Sequence, residues 1–219
     1  MRIAVVDPGS GNLASVRRAF ERAAAEEGIA LDLTVTEDAE AVRDADRIVL
    51  PGQGAFAACA RGLAALPGMT QALNEEVARG KPFLGICVGM QLMAQRGLEH
   101  GVTPGLGWIE GEIAPMDPRG DDGAPLPLPQ MGWNRLEPAS AHPLLAGVAP
   151  DAHAYFVHSY ALRGGRREEL LATASYGGPV VAIVGRDNMA GTQFHVEKSG
   201  DVGLRILRNF LRWSPGARQ

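Results

Sequence analysis

Apolar residues in this chain recur in two rhythms, and the exchange between them organises its first half. Residues 2–7 hold Ile, Ala and two Val with no polar interruption, the pattern of a short strand covered on both faces. Residues 13–27 instead bring apolar side chains back every three or four positions, which predicts an amphipathic helix closed by Gly28. Residues 31–35 and 47–50 repeat the strand pattern. Residues 69–79 form the next helix, ended by Gly80, and Pro82 opens another buried run through Ile86. Strand alternating with helix implies a parallel sheet. After Gly97 the texture changes to short alternating segments punctuated by Gly and Pro, and residues 117–128 are too rich in Asp, Gly and Pro to be regular. Further on, 155–160 reads as a strand. The stretches 180–184 and 190–196 read as the arms of a hairpin across Gly185, Arg186, Asp187 and Asn188. Leu204, Leu207 and Leu211 recur at helical spacing within 203–213. The expected fold is α/β, one domain over 1–219, with a mostly parallel central sheet and an additional antiparallel β portion.

Composition narrows the function. A chain of 219 residues, 46% hydrophobic, can bury a full core. Its formal charge of −4, with no basic block, argues against nucleic acid or an anionic membrane as partner and favours a small substrate. No stretch reaches the roughly eighteen apolar residues of a spanning helix, and the first residues enter a strand without a leader pattern, so a cytoplasmic location is expected. Two cysteines, one of them needed as a thiol, fit a reducing compartment.

That thiol is Cys87. It stands where the apolar run 82–86 stops at a glycine-flanked corner and a helical pattern, 88–93, begins. Such a corner lifts one side chain clear of the backbone and turns the first free N–H groups of the helix, Val88 foremost, toward whatever that side chain attacks. The partial positive charge of a helix N-terminus favours thiolate over thiol. Cys59, in Ala57-Ala58-Cys59-Ala60 with no glycine corner, reads as a small buried residue suited to helix packing. Far downstream, His195 and Glu197 lie two apart in an expected extended segment, on one face, as base and orienting acid for the nucleophile. Gly52 and Gly54 bracket Gln53 directly after a strand, which makes this loop a second source of oxyanion donors beside Cys87. The turn Pro8-Gly9-Ser10-Gly11-Asn12 matches neither a dinucleotide fingerprint nor a phosphate loop. It reads as a tight turn with Asn12 free to face a partner. Trp133 suits either a core or an interface.

Three motifs together resemble those of class I (triad) glutamine amidotransferases: Pro51-Gly52-Gln53-Gly54, Gly85-Ile86-Cys87-Val88-Gly89-Met90-Gln91 and Phe194-His195-Val196-Glu197-Lys198-Ser199. Within the class, the turn at 7–12, the run 129–134 and the strand 155–160 are similar to glutaminase subunits of imidazole glycerol phosphate synthases, and Met131-Gly132-Trp133-Asn134 is the most specific of these. The chain departs from the family pattern at Pro8, where tyrosine is common, and at Val196, where proline is common. The resemblance implies a flavodoxin-like three-layer sandwich and hydrolysis of L-glutamine to glutamate and ammonia by Cys87, His195 and Glu197, with no cofactor and no metal. It implies an oxyanion hole from the backbone of Gln53, Gly54 and Val88, and substrate binding by Gly52, Gln91 and the backbone at Ser159 and Tyr160. It further implies a heterodimer with a separate (β/α)8-barrel cyclase. That partner would use the ammonia to make imidazole glycerol phosphate and a purine precursor in histidine biosynthesis, and would meet Asn12, Gln130, Met131, Trp133 and Lys198. The alternatives are a glutaminase subunit for another synthase, such as one making pyridoxal phosphate, a cysteine peptidase or thiol-dependent stress protein, or a catalytically dead binding module. The run at 129–134, the downstream His195 and Glu197 with Gln91, and the complete triad weigh against them in that order.

Overall fold

The computed structural model describes residues 1–216, so the last three positions of the expected 1–219 domain lie outside it. Along the chain run β1 (Arg2–Val6), α1 (Leu13–Glu26), β2 (Asp32–Thr36), α2 (Ala39–Asp44), β3 (Arg47–Gly52), α3 (Phe56–Ala65), α4 (Met69–Ala78), β4 (Phe83–Cys87) and the single turn α5 (Val88–Gln91). Then come β5 (Ala94–Gly97), β6 (Thr103–Pro104), β7 (Ile109–Pro115), β8 (Gln130–Arg135), β9 (Glu137–Pro138), β10 (His153–His158) and β11 (Tyr160–Arg163). The last elements are β12 (Leu170–Ser175), β13 (Pro179–Arg186), β14 (Met189–Thr192) and α6 (Gly200–Arg212). Among the described residues no helix is long and apolar enough to cross a membrane.

The central sheet has the order β2-β1-β3-β4-β14-β13-β12-β9. Its first five strands are mutually parallel and the rest antiparallel. The uninterrupted apolar runs belong to the middle of the parallel half, where Val5, Val6, Ile48, Leu50, Phe83 and Leu84 are completely shielded from solvent. Strand order sets the layers. The step from β1 to β2 runs one way along the sheet, and the steps from β2 to β3 and from β3 to β4 run the other. Right-handed crossovers therefore place α1 on one face and α2 to α4 on the opposite face. Packing agrees, since α1 lies on α6 with Phe20 edge-on to Phe210 at 6.0 Å, while α2 packs against α4. A four-stranded sheet, β11-β7-β5-β6, in which only β5 and β7 run parallel, and the antiparallel ribbon β10-β8 complete the fold.

Three expected elements end differently. The helix after Cys87 is one turn rather than 88–93, because the chain turns at once into β5. The strand expected over 155–160 breaks at Ser159, where β10 leaves the ribbon and β11 joins β7. The second hairpin arm stops at Thr192, after a two-residue turn at Asp187 and Asn188, and residues 196–198 form a 3-10 turn. The segment 117–128 is irregular apart from one bridge, Arg119 to Pro125.

Candidate active site

Cys87 is the last residue of β4 and has φ +54°, a positive-φ conformation that costs a non-glycine residue about 1–3 kcal/mol and persists only where its surroundings enforce it. The enforcement comes from glycines. A Cβ on Gly89 would lie 1.8 Å from the Leu50 carbonyl oxygen, and one on Gly85 would lie 2.8 Å from Gly89 backbone atoms. Only a hydrogen at these positions lets α5 press onto β3 and β4. The parallel register pairs Gly52 with Cys87, which brings the loop after β3 alongside the thiol.

His195 does not share an extended strand with Glu197, as its spacing suggested. It caps the 3-10 turn, and that turn brings the two together: Nδ1 lies 2.8 Å from the Glu197 carboxylate, with both side chains almost fully buried. The chain leaves the sheet here because other bonds claim it. The His195 N–H donates to the Tyr155 carbonyl, and the Ser199 hydroxyl donates to the His195 carbonyl at 2.7 Å while accepting from the Tyr155 N–H. Burial opposes charge on His195, but the Cys87 sulfur and the Glu197 carboxylate beside it outweigh that, and the imidazole pKa is raised from 6.5 to about 9. His195 is therefore an imidazolium at neutral pH.

A cavity of about 490 Å³ joins Cys87 to His195 and is walled by Gln53, Gly54, Val88, Gln91, Ser159, Tyr160 and Lys198. Gly52 stands behind this wall rather than on it: a Cβ there would be 3.0 Å from the Gly89 nitrogen and 3.1 Å from Val88. Gln91 donates through Nε2 to the Tyr160 carbonyl and to Gln193 Oε1, each at 3.1 Å, which leaves its Oε1 for a ligand. The carbonyls of Ser159 and Tyr160 are already taken, by the Met116 N–H and by Gln91 with His158. Only the N–H groups there remain to meet an anion.

Gln193, which lies against Cys87 behind the cavity wall, and the cavity residues Glu99 and His158 carry no signal in the sequence. Gln193 is fully buried with Nε2 4.0 Å from the Cys87 sulfur. Glu99 lines the cavity and accepts the Phe56 N–H at 2.6 Å. His158 donates from Nδ1 to the Tyr160 carbonyl at 2.9 Å, and burial, aided by the charge on His195, lowers its pKa to about 4, so it is neutral. The partners of Gln193 and Glu99, and the His195 that faces His158, are distant in sequence, and no local pattern marks them. A larger cleft, about 740 Å³, lies over His142, Arg186 and Trp213, but it holds no nucleophile and base side by side.

The expected partner face divides. Met131 and Trp133 are 63% and 55% exposed, side by side on the outer face of β8, and Lys198 is exposed at the cavity rim. Gln130 is fully buried, because alternation along β8 points it inward, where it donates to Asn134. Asn12 is half-buried, and its Oδ1 accepts the Ser15 N–H and caps α1. Among the described residues no group of three or more His, Cys, Asp or Glu side chains is placed to hold a metal ion.

Residues 4–213 match the model of the glutamine amidotransferase class-I family. The chain is 61% identical over 218 residues to the imidazole glycerol phosphate synthase subunit HisH of Granulibacter bethesdensis, covering 98% of this chain and 97% of that protein. The corresponding subunit of Mesorhizobium japonicum is 56% identical over 98% of this chain and all of its own length. Among solved structures, one described as a glutamine amidotransferase superposes with a TM-score of 0.70 at 20% identity, covering 96% of this chain and 97% of that one. The PurLQS structure from Thermotoga maritima gives 0.66 at 18%, over 96% of this chain and 97% of that one. Likeness at these identities speaks for the fold alone.

Proposed function

The chain belongs to the glutamine amidotransferase class-I family, and on that premise we propose that it is the glutaminase subunit of an imidazole glycerol phosphate synthase, with Cys87, His195 and Glu197 as its catalytic triad. The observation that carries the assignment of roles is a thiol on a positive-φ corner sharing one cavity with an imidazolium held by a buried carboxylate. With its proton held by His195, the Cys87 sulfur attacks the carboxamide carbon of glutamine, and that proton then passes to the departing amide nitrogen as the C–N bond breaks and ammonia leaves. The resulting glutamyl thioester is attacked by water, which gives its proton to His195, and glutamate is released. Glu197 keeps the ring oriented and stabilises its charge. Backbone N–H groups of Val88 and of the loop at Gln53 and Gly54 meet the tetrahedral oxyanion. Gln91 Oε1 and the Glu99 carboxylate are acceptors suited to the substrate's ammonium, and the N–H groups at Ser159 and Tyr160 suit its carboxylate.

Ammonia is a nucleophile only while unprotonated, so it must reach its acceptor without passing through neutral water. The enzyme works with a partner subunit, which we take to be a separate (β/α)8-barrel cyclase seated on Met131, Trp133 and Lys198 and consuming the ammonia. The whole chain, 1–219, is read as one amidotransferase domain acting in the cytoplasm. Glutamate release should rise when the partner and its nucleotide substrate are added; equal rates with and without them contradict the subunit assignment.

The raised pKa of His195 has a definite sign. Its partners stabilise the charged form, so this contribution to folding is complete below about pH 6.5 and is lost as pH rises through about 9. Activity that needs the imidazolium as acid falls over the same range. The pH profile of kcat/KM should therefore turn down near pH 9, and Glu197→Gln, which removes one raising charge, should move that limb to lower pH. An unmoved limb contradicts the assigned role of Glu197.

A further inference from the structure

We propose that Cys59, the second cysteine, is a positioning residue for the loop that borders the catalytic cavity. Its side chain on α3 is fully buried, and its sulfur lies 3.2 Å from the Gln53 carbonyl oxygen and 3.0 Å from the Ser10 hydroxyl. A carbonyl can only accept, so the single thiol hydrogen goes to Gln53. The Ser10 hydroxyl must then donate to the sulfur. The result is a relay from the turn after β1, through α3, to the loop after β3, and both ends of it line the cavity with Cys87.

The grip has a geometric consequence. A trans peptide is planar, with its C=O and N–H on opposite sides, so holding the Gln53 carbonyl also sets the direction of the Gly54 N–H. Gly54 has φ +82°, and a Cβ there would meet nothing within 4 Å, so the surroundings do not hold it sterically. Among the described residues no donor besides Cys59 reaches the Gln53 carbonyl. Burial raises the Cys59 pKa and keeps it a thiol, the form that can donate. α3 itself is fixed close beneath the first turn: a Cβ on Gly62 would fall 2.0 Å from the Pro8 carbonyl oxygen.

This inference rests on the glutaminase reading, and the test separates the two. Glutamate formation is measured for the chain assembled with its partner subunit, in wild type, Cys59→Ala and Cys59→Ser. Alkylation of Cys87 by iodoacetamide, followed on the Cys87 peptide, serves as a second readout, because displacement of iodide develops no oxyanion. Cys59→Ala should lower kcat about tenfold with KM and the alkylation rate changed by less than about twofold, since the lost hydrogen bond supports a donor needed only in the transition state. Cys59→Ser keeps the donor and should return kcat to within about threefold of wild type. Wild-type kcat in Cys59→Ala overturns the proposal. So does serine no better than alanine, or alkylation falling in step with kcat, the mark of a cysteine that merely fills space. A wild-type complex that forms no glutamate would instead overturn the glutaminase reading.

Discussion

Cys87→Ala should abolish glutamine hydrolysis, lowering kcat by about 10⁵-fold or more, because the other triad members are of little use without the nucleophile they serve. The loss should be chemical and not structural. Cys87 is buried, but its side chain is small and carries none of the bonds that join α5 to the sheet, so the melting temperature should stay within a few degrees of wild type. Cys87→Gly gives a sharper contrast. With φ at +54°, glycine relieves strain that every other residue must bear, and this variant should be equally inactive yet no less stable than the alanine variant by thermal denaturation. A glycine variant clearly less stable than the alanine variant would mean that the corner stores no strain. Substantial hydrolysis by either variant would remove Cys87 from the mechanism.

Gly89→Ala is expected to be the most damaging small substitution in the site. The added methyl would lie 1.8 Å from the Leu50 carbonyl oxygen and 2.8 Å from its carbon, and neither is the movable end of a side chain. Relief requires α5 to shift off β3, which carries Cys87 and the Val88 N–H with it. A cost of about 3 kcal/mol or more follows from overpacking of this kind, a fall of roughly 6–12 °C in melting temperature for a domain of this size. kcat should fall at least about a hundredfold, as when one oxyanion donor is misplaced. Gly54→Ala is the comparison: its Cβ meets nothing within 4 Å, so it carries only the φ penalty, about 1–2 kcal/mol. If thermal denaturation and kcat ranked these two the other way round, the packing account of the elbow would be wrong.

The contrast between legible and illegible parts has physical causes. The strands β1, β3 and β4 were readable because strands buried on both faces leave unbroken apolar runs, and Cys87 was readable because the glycines that permit its corner stand on either side of it. The helix after Cys87 was overextended, since Leu92 and Met93 are as apolar in the turn into β5 as they would be in a helix. His195 and Glu197 did meet, by a route the spacing did not indicate. Ser199 and Tyr155 hold the backbone in a turn, and α6 closes on it so tightly that a Cβ on Gly203 would sit 1.9 Å from the Val196 carbonyl oxygen. Gln193, Glu99 and His158 were illegible because their roles depend on contacts with remote elements. The inward position of Gln130 is legible in the strand pattern. Strand alternation that turns Met131 and Trp133 outward necessarily turns Gln130 inward.

The central claim is that sulfur takes the acyl group of an amide at Cys87, and trapping the intermediate tests it most directly. Complex turning over isotopically labelled glutamine would be quenched in acid and its peptides resolved by mass spectrometry. The account predicts the labelled glutamyl group in thioester linkage on the Cys87 peptide, and none on the peptide containing Cys59. Glutamate formed at the full rate with no label on Cys87, or with the label on another residue, would contradict it.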